Sequence, residues 1–430
     1  MSYADFLEHK RALTAPTGIT DPGEVHPMLH DWQADIVRWA CRTGRAAIFA
    51  DCGLGKTFMQ LEWARLVAAR TLIVAPLSVA RQTVREASRL GMDVRYARHG
   101  DECTIDGIWI TNYEMLQHFD PGHFGAVVLD ESSILKNVDG TTRRKLTEML
   151  ADVPYRLACT ATPAPNDVSE LCNHAEFLGI MPRNEMLAAF FVHDDDGWRP
   201  KGHAIEPMYE WMSSWSVALR KPSDIGYDDT GYDLPALSII PEIVVSEIES
   251  DGQLFATDLG GVGGRAKVRR QTIEARVERA AQLAIGNTDQ WIVWCGLNDE
   301  ADAVARAVGP DAVNVSGSWT PDQKADAIEA FQDGTIRVLV TKPSIAGFGM
   351  NFQNAHRMVF VGLSDSWESY YQAIRRCWRF GQQHPVSAHV VVSELEQQIV
   401  HNIQRKEGEA TRTAAGLIRH SPITKNRIMS

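Results

Sequence analysis

Short apolar runs rich in β-formers recur at 46–50, 71–75, 107–110 and 126–129, separated by amphipathic segments. Continuous apolar strands alternating with helices are what a parallel sheet covered on both faces requires. The same rhythm returns at 291–294, 312–315, 337–340 and 358–361, with helical stretches at 299–308 and 321–331. The pattern therefore predicts two α/β lobes. Between them, residues 181–264 change character: an acidic run at 194–196, clustered aromatics (Trp198, Tyr209, Trp211, Trp215) and glycines at 261–264. That composition predicts a small helical insertion followed by a Gly-rich connection. After Ser393 the chain reads helical, with Leu395, Ile399 and Ile403 on one face, and it closes on a basic tail. The predicted organisation is an N-terminal extension 1–23, a first lobe 24–180, an insertion and linker 181–264, a second lobe 265–393 and a C-terminal brace 394–430. No solenoid-type repeat interrupts it.

Composition narrows the class without changing this picture. A chain of 430 residues with 44% hydrophobic and 23% charged residues can bury a core, so a disordered tail protein or a disulfide-knit peptide is excluded. The start lacks the basic-then-apolar run of a signal peptide, and no apolar stretch approaches the ~18–20 residues of a bilayer span. Seven scattered cysteines contain no Cys-x-x-Cys pair, which fits neither a disulfide framework nor a zinc site. The expectation is a reducing, cytoplasmic location and no membrane partner. The net charge of -12 argues, by itself, against nucleic acid as a partner.

The chemistry begins where the run 46–50 meets Asp51-Cys52-Gly53-Leu54-Gly55-Lys56-Thr57 and a helical segment follows. In a phosphate loop, glycines let backbone N–H groups close around phosphates, Lys56 reaches the β and γ oxygens, and the Thr57 hydroxyl holds magnesium. Ala50 occupies the first-glycine position of the general pattern, giving A-x-x-G-x-G-K-T. A chance turn with its lysine in solvent is the bland reading. The strand before and helix after favour a nucleotide site. Val127-Val128-Leu129-Asp130-Glu131-Ser132-Ser133 adds a strand ending in two carboxylates. Asp130 is placed to hold magnesium through water, and Glu131 to orient and deprotonate an attacking water. An acidic strand end is the commoner case, but pairing with Lys56 favours catalysis.

From about residue 29 to 406 the chain resembles superfamily-two nucleic-acid translocases, in details the Swi/Snf-like branch and in build its compact prokaryotic or phage members. Leu29-His30-Asp31-Trp32-Gln33 is similar to the opening segment whose Gln reads adenine, which implies Gln33 as an adenine contact. The resemblance assigns Ala50, Gly53, Leu54, Gly55, Lys56, Thr57 and Gly349 to the nucleotide. Ala75-Pro76-Leu77-Ser78 and Thr111-Asn112-Tyr113-Glu114 are similar to nucleic-acid-binding loops, with Ser78 and Thr111 as contacts. Ser78 as a plain helix N-cap is the alternative. Thr160-Ala161-Thr162-Pro163 with Asn166 resembles the motif coupling ATP and nucleic-acid sites. Thr341 and 344–352 resemble the motif lying between ATP and DNA, with Thr341 on backbone phosphate.

The most specific match is Gln372-Ala373-Ile374-Arg375-Arg376-Cys377-Trp378-Arg379-Phe380-Gly381-Gln382, similar to the Q-A-x-x-R-x-x-R-x-G-Q signature of Swi/Snf-like enzymes. Arg376 and Arg379, at i and i+3 on a helix, face the same way, as two guanidinium groups reaching one triphosphate must. The resemblance implies that both are arginine fingers and that Gln372 contacts the γ-phosphate or water. Arg375 falls at a variable position. Trp211 and Trp215, at i and i+4, are read as core in preference to a base-stacking surface. Ser133 stands where the family usually has His. The implied function is an ATP-dependent DNA helicase or translocase: two tandem RecA-like lobes, with ATP and magnesium as cofactors, working as a monomeric motor on duplex or branched DNA. An RNA helicase and an ATP-gated scaffold without productive hydrolysis are the alternatives. Net charge then describes solubility, and a local basic or hydroxyl-lined strip suffices for DNA.

Overall fold

The computed structural model describes residues 13–136, 141–194, 197–245, 272–346, 350–362, 366–394 and 397–423. Two compact units result: residues 1–232 with 408–430, and residues 233–407.

In the first unit, the described elements are α1 (Asp31–Thr43), β1 (Arg45–Ala50), α2 (Lys56–Val67), β2 (Arg70–Ala75), α3 (Leu77–Arg89), β3 (Val94–Tyr96), β4 (Gly107–Asn112), β5 (Ala126–Asp130), α4 (Thr141–Met149), β6 (Tyr155–Cys159), α5 (Leu171–Leu178), α6 (Arg183–Phe190), β7 (Phe191–Asp194), β8 (Gly197–Pro200), α7 (Ile205–Met212) and β9 (Ser216–Leu219). Their main sheet runs β3-β4-β2-β5-β6-β1-β9, and every pair in it is parallel. Strands β1, β2, β4 and β5 are buried almost throughout, which is why they read as unbroken apolar runs. At the end of α1, Gly44 takes φ +78° and its N–H caps Ala40. A Cβ there would come within 2.6 Å of the Gly18 backbone, so glycine is required for this close approach.

The segment read as a helical insertion does hold helices, α6 and α7, but it also supplies strands. β7 and β8 form a small antiparallel pair, and β9 joins the main sheet beside β1, with Ala47 opposite Ser216 and Ala50 opposite Leu219. A four-residue strand is too short to show a period in the sequence. Trp211 and Trp215 are buried, edge to face at 5.5 Å between ring centroids, so they are core and offer no stacking surface.

The second unit contains β10 (Leu237–Val244), α8 (Ile273–Ile285), β11 (Trp291–Cys295), α9 (Asn298–Val308), β12 (Ala312–Asn314), α10 (Pro321–Gln332), β13 (Val338–Thr341), the short α11 (Pro343–Ala346), β14 (Arg357–Val361), α12 (Trp367–Cys377), β15 (Val386–Ser393) and the start of α13 (Gln397–Arg419). Its parallel sheet runs β10-β15-β14-β11-β13-β12. β10, predicted to belong to the linker, is thus an edge strand. The glycines at 261–264, Leu395 and the end of the basic tail lie outside the described residues. Ile399 and Ile403 are buried, in keeping with the helical face they mark. In the first unit, Leu417 enters the core, and Arg419 and His420 each reach Glu206 at 2.8 Å.

One buried ion pair organises the second unit. Arg276 and Glu300 are both fully buried and 2.8 Å apart. Arg276 also donates to the Val361 carbonyl and Thr272 Oγ1, while Glu300 accepts from the N–H groups of Gly296 and Leu297 at the head of α9. Removing one partner strands the other charge. Glu300→Ala is expected to destabilise this unit by about 3–5 kcal/mol, read as a lower denaturation midpoint of the full chain. Among the described residues no helix is long and apolar enough to cross a membrane, and all seven cysteines are free.

Candidate nucleotide site

The phosphate loop leaves the end of β1 and closes on the first turn of α2. Gly53 and Gly55 take φ +85° and +71°, conformations that favour glycine, and Gly55 is the N-cap of α2. Lys56 and Thr57 open the helix, whose first turn carries no acidic residue. An anion therefore meets free N–H groups and the positive end of the helix dipole. Lys56 Nζ donates to the Ala50 carbonyl at 2.8 Å and the Asp51 carbonyl at 3.2 Å, so its ammonium is held over the loop. Leu54 is buried, and its carbonyl accepts from Gln33 Nε2 at 3.1 Å. Gln33 Oε1 accepts from the His30 N–H at 3.0 Å. Gln33 is thus seated directly against the loop.

Asp130 ends β5, two strands from β1 in the sheet, and Gln60 of α2 spans the gap. Gln60 Nε2 donates to Asp130 Oδ1 at 2.7 Å. Burial raises the Asp130 pKa, while the Gln60 bond and the Lys56 charge act in the opposite direction. A buried carboxylate held by the helix that opens with Lys56 and Thr57 offers hard oxygen donors of the kind magnesium takes. Among the described residues, no group of three His, Cys, Asp or Glu side chains could hold a metal.

Glu131 has φ +52°, and among the described residues it is the one non-glycine with positive φ. Such a conformation costs about 1–3 kcal/mol and persists only where its surroundings impose it. Tyr113 OH donates to the Asp130 carbonyl at 2.6 Å, the Glu131 N–H donates to Asp130 Oδ1 at 3.0 Å, and the Ile134 N–H donates to the Glu131 carbonyl at 3.2 Å. Thr160 Oγ1 lies 3.5 Å from Glu131 Oε2. The Thr160 motif therefore touches the acidic pair directly. Asn166 donates through its N–H and Nδ2 to Glu170, a carboxyl that burial pushes up to about 7.

The second unit holds the arginine signature at the end of α12. Arg376 donates through Nε to the Gln372 carbonyl, through Nη2 to Gln372 Oε1 at 2.6 Å and through Nη1 to the Met350 carbonyl at 3.3 Å. Gln372 is buried, and its carboxamide oxygen orients Arg376. Arg379 Nη1 reaches the same Met350 carbonyl at 3.3 Å. The helix ends at Cys377, so Arg379 does not share a helical face with Arg376, contrary to the i, i+3 expectation. Both guanidinium groups nonetheless meet at the Met350 carbonyl. The turn that follows, with Gly381 at φ +91°, is held by Gln382, whose Nε2 donates to the Gln353 and Ala355 carbonyls. Trp378 Nε1 donates to the Pro235 carbonyl at 2.7 Å. Arg375 stacks over the Trp378 ring at 4.8 Å.

Thr111 and Thr341, expected to contact nucleic acid, are buried, and the Thr341 hydroxyl donates to the Val315 carbonyl at 3.3 Å. Ser78 is the second residue of α3, whose N-cap is Pro76, so the N-cap alternative does not hold. The Ser78 side chain and Gly349 lie outside what the structure describes. Sequence reasoning missed Gln60, Tyr113 and His174. Gln60 had a signal, since it sits one turn after Lys56 on the same helix face. His174, whose Nε2 is 3.2 Å from Ser132 Oγ, had none.

Residues 275–381 match the family profile described as "Helicase conserved C-terminal domain". The DNA repair protein RAD5 of Yarrowia lipolytica is 28% identical over 187 residues, covering 34% of this chain and 18% of that protein. The SWI/SNF-related matrix-associated actin-dependent regulator of chromatin subfamily A-like protein 1 of Xenopus laevis is 22% identical over 416 residues, covering 85% of this chain and 42% of that protein. The pre-mRNA-splicing ATP-dependent RNA helicase prp28 of Aspergillus niger is 33% identical over 94 residues, 21% of this chain and 12% of that protein. The chain spans less than half the length of each of these relatives. Among solved structures, the Sulfolobus solfataricus SWI2/SNF2 ATPase core in complex with dsDNA aligns with TM-score 0.44 and 19% identity, covering 95% of this chain and 97% of that one.

Proposed function

We propose that the chain belongs with the Swi/Snf-like superfamily-two helicases and is a DNA-dependent ATPase that couples hydrolysis to movement along DNA. The observation that carries this reading is the Gln60–Asp130 bond, which brings the acidic pair of β5 to the helix that begins the phosphate loop. Phosphate loop, cation carboxylate and candidate base then occupy one site rather than three unrelated loops. Thr57 and Asp130 would hold magnesium, which supplies charge neutralisation at the phosphates. Gln33 holds the loop from the adenine side, Lys56 binds the phosphates, and Glu131 takes the proton of the attacking water. Arg376 and Arg379 are assigned to the charge that develops on the transferred phosphate, with Gln372 orienting Arg376.

The duplex substrate is supported by likeness to relatives named for chromatin regulation and DNA repair. An RNA track has support from the stretch shared with an RNA helicase. ATPase measured with duplex DNA, single-stranded DNA and RNA separates these. Duplex DNA is expected to stimulate turnover most, and the stimulation is expected to fall steeply with salt as phosphate contacts are lost. Strongest activation by RNA would replace the DNA reading. No turnover under any condition would leave an ATP-gated scaffold.

A further inference from the structure

Two neighbouring residues of α5 reach the turn that carries Glu131. Asn173 Nδ2 donates to the Leu135 carbonyl at 2.8 Å and is itself held by Arg183 Nε at 3.0 Å. His174 Nε2 lies 3.2 Å from Ser132 Oγ. Both contacts fall on the 3₁₀ turn Ser132–Lys136, which follows Glu131 directly. The His174 ring is fully buried and meets Phe49 edge to face at 5.2 Å between centroids. Phe49 is the last residue but one of β1, the strand that feeds the phosphate loop. One side chain thus touches the ends of both strands on which the nucleotide site is built.

A histidine here needs a reason, because an apolar side chain would fill the same space without burying polar nitrogens. Burial drives the ring down to about 4, with a smaller opposite influence from the Glu170 backbone, so the imidazole is neutral at neutral pH. A neutral ring adds no charge next to Asp130 and Glu131. Its bond to the Ser132 hydroxyl offsets part of the burial cost and fixes the direction of that hydroxyl. The bond also acts at the residue immediately after the strained one.

We infer that His174 is a positioning residue for ATP hydrolysis: through Ser132 it fixes the turn in which Glu131 is held, and so sets where the Glu131 carboxylate points. This rests on the reading of Glu131 as the group that activates water. A displacement of about 1 Å in a reacting group costs on the order of a hundredfold in rate, so His174→Ala and Ser132→Ala are expected to lower kcat about ten- to a hundredfold. KM for ATP is expected to stay within about threefold, because the phosphate loop itself is untouched. His174→Gln, whose carboxamide can still bond Ser132, is expected to recover part of the rate.

The measurements are steady-state ATPase of the full chain and, without nucleotide, amide hydrogen exchange. Exchange at 131–136 is expected to rise in His174→Ala while the second unit exchanges as before. Native kcat in both alanine variants overturns the inference. So does a His174→Gln variant as slow as His174→Ala, or exchange that rises throughout the chain. If His174→Ala does not fold, Ser132→Ala, which removes a single hydroxyl, carries the test. Lys56→Ala and Glu131→Gln distinguish the two levels: normal turnover there sinks the catalytic reading, whereas their inactivity beside fully active Ser132→Ala and His174→Ala sinks only this inference.

Discussion

Glu131→Gln is expected to lower ATP turnover by about 10²–10⁴-fold, the range a positioned general base contributes, while ATP still binds. The substitution keeps shape and removes only the capacity to take a proton. Thr160 Oγ1, 3.5 Å from Glu131 Oε2, can still approach the carboxamide, and the backbone at φ +52° carries a residue of the same branching. The change should therefore fall on kcat, with ATP affinity measured separately by equilibrium binding. Turnover within about twofold of native would remove Glu131 from the chemistry.

Lys56→Ala is expected to cost about 10²–10³-fold in turnover and to weaken nucleotide binding as well, since a preorganised charge at the phosphates is lost in both states. The half-exposed ammonium bonds only the Ala50 and Asp51 carbonyls, which water can satisfy in its absence, so the fold should survive. A second consequence follows at Asp130. Its carboxyl already sits above the usual carboxylate range because of burial, and Lys56 is one of the influences that lower it. Without that charge the pKa rises further, more of the acid is protonated at a given pH, and cation binding weakens. The variant is thus expected to need more magnesium, and to need it increasingly as pH falls. A magnesium dependence identical to native would contradict the placement of Asp130 beside the cation.

The phosphate loop was legible because its chemistry is local. Glycines that must take positive φ, a lysine and a threonine follow one another between a strand and a helix, and seven residues define the site. The arginine signature was legible in identity but not in shape: a helix was expected through Arg379, and it stops at Cys377. Convergence of the two guanidinium groups on the Met350 carbonyl replaces a shared helix face. The burial of Thr111 and Thr341 was not legible. In a sheet covered on both faces, inward and outward positions look alike in the sequence, so a hydroxyl near a strand end gives no sign of which way it faces.

Spacing along the chain sufficed for the elements and for the residue types at the nucleotide, because strand, loop and helix each arise from neighbours a few residues apart. The contacts that turn those elements into a site join distant residues: Gln60 with Asp130 across 70 positions, Ser132 with His174 across 42, and Arg276 with the Val361 carbonyl across 85. β9 and β10 entered their sheets the same way, each beside a strand far off in the sequence. No periodicity encodes such pairings. They follow from which surfaces must be buried against which once the sheets form, and folding is where a carboxylate, a turn and a buried ring come to share one strained residue.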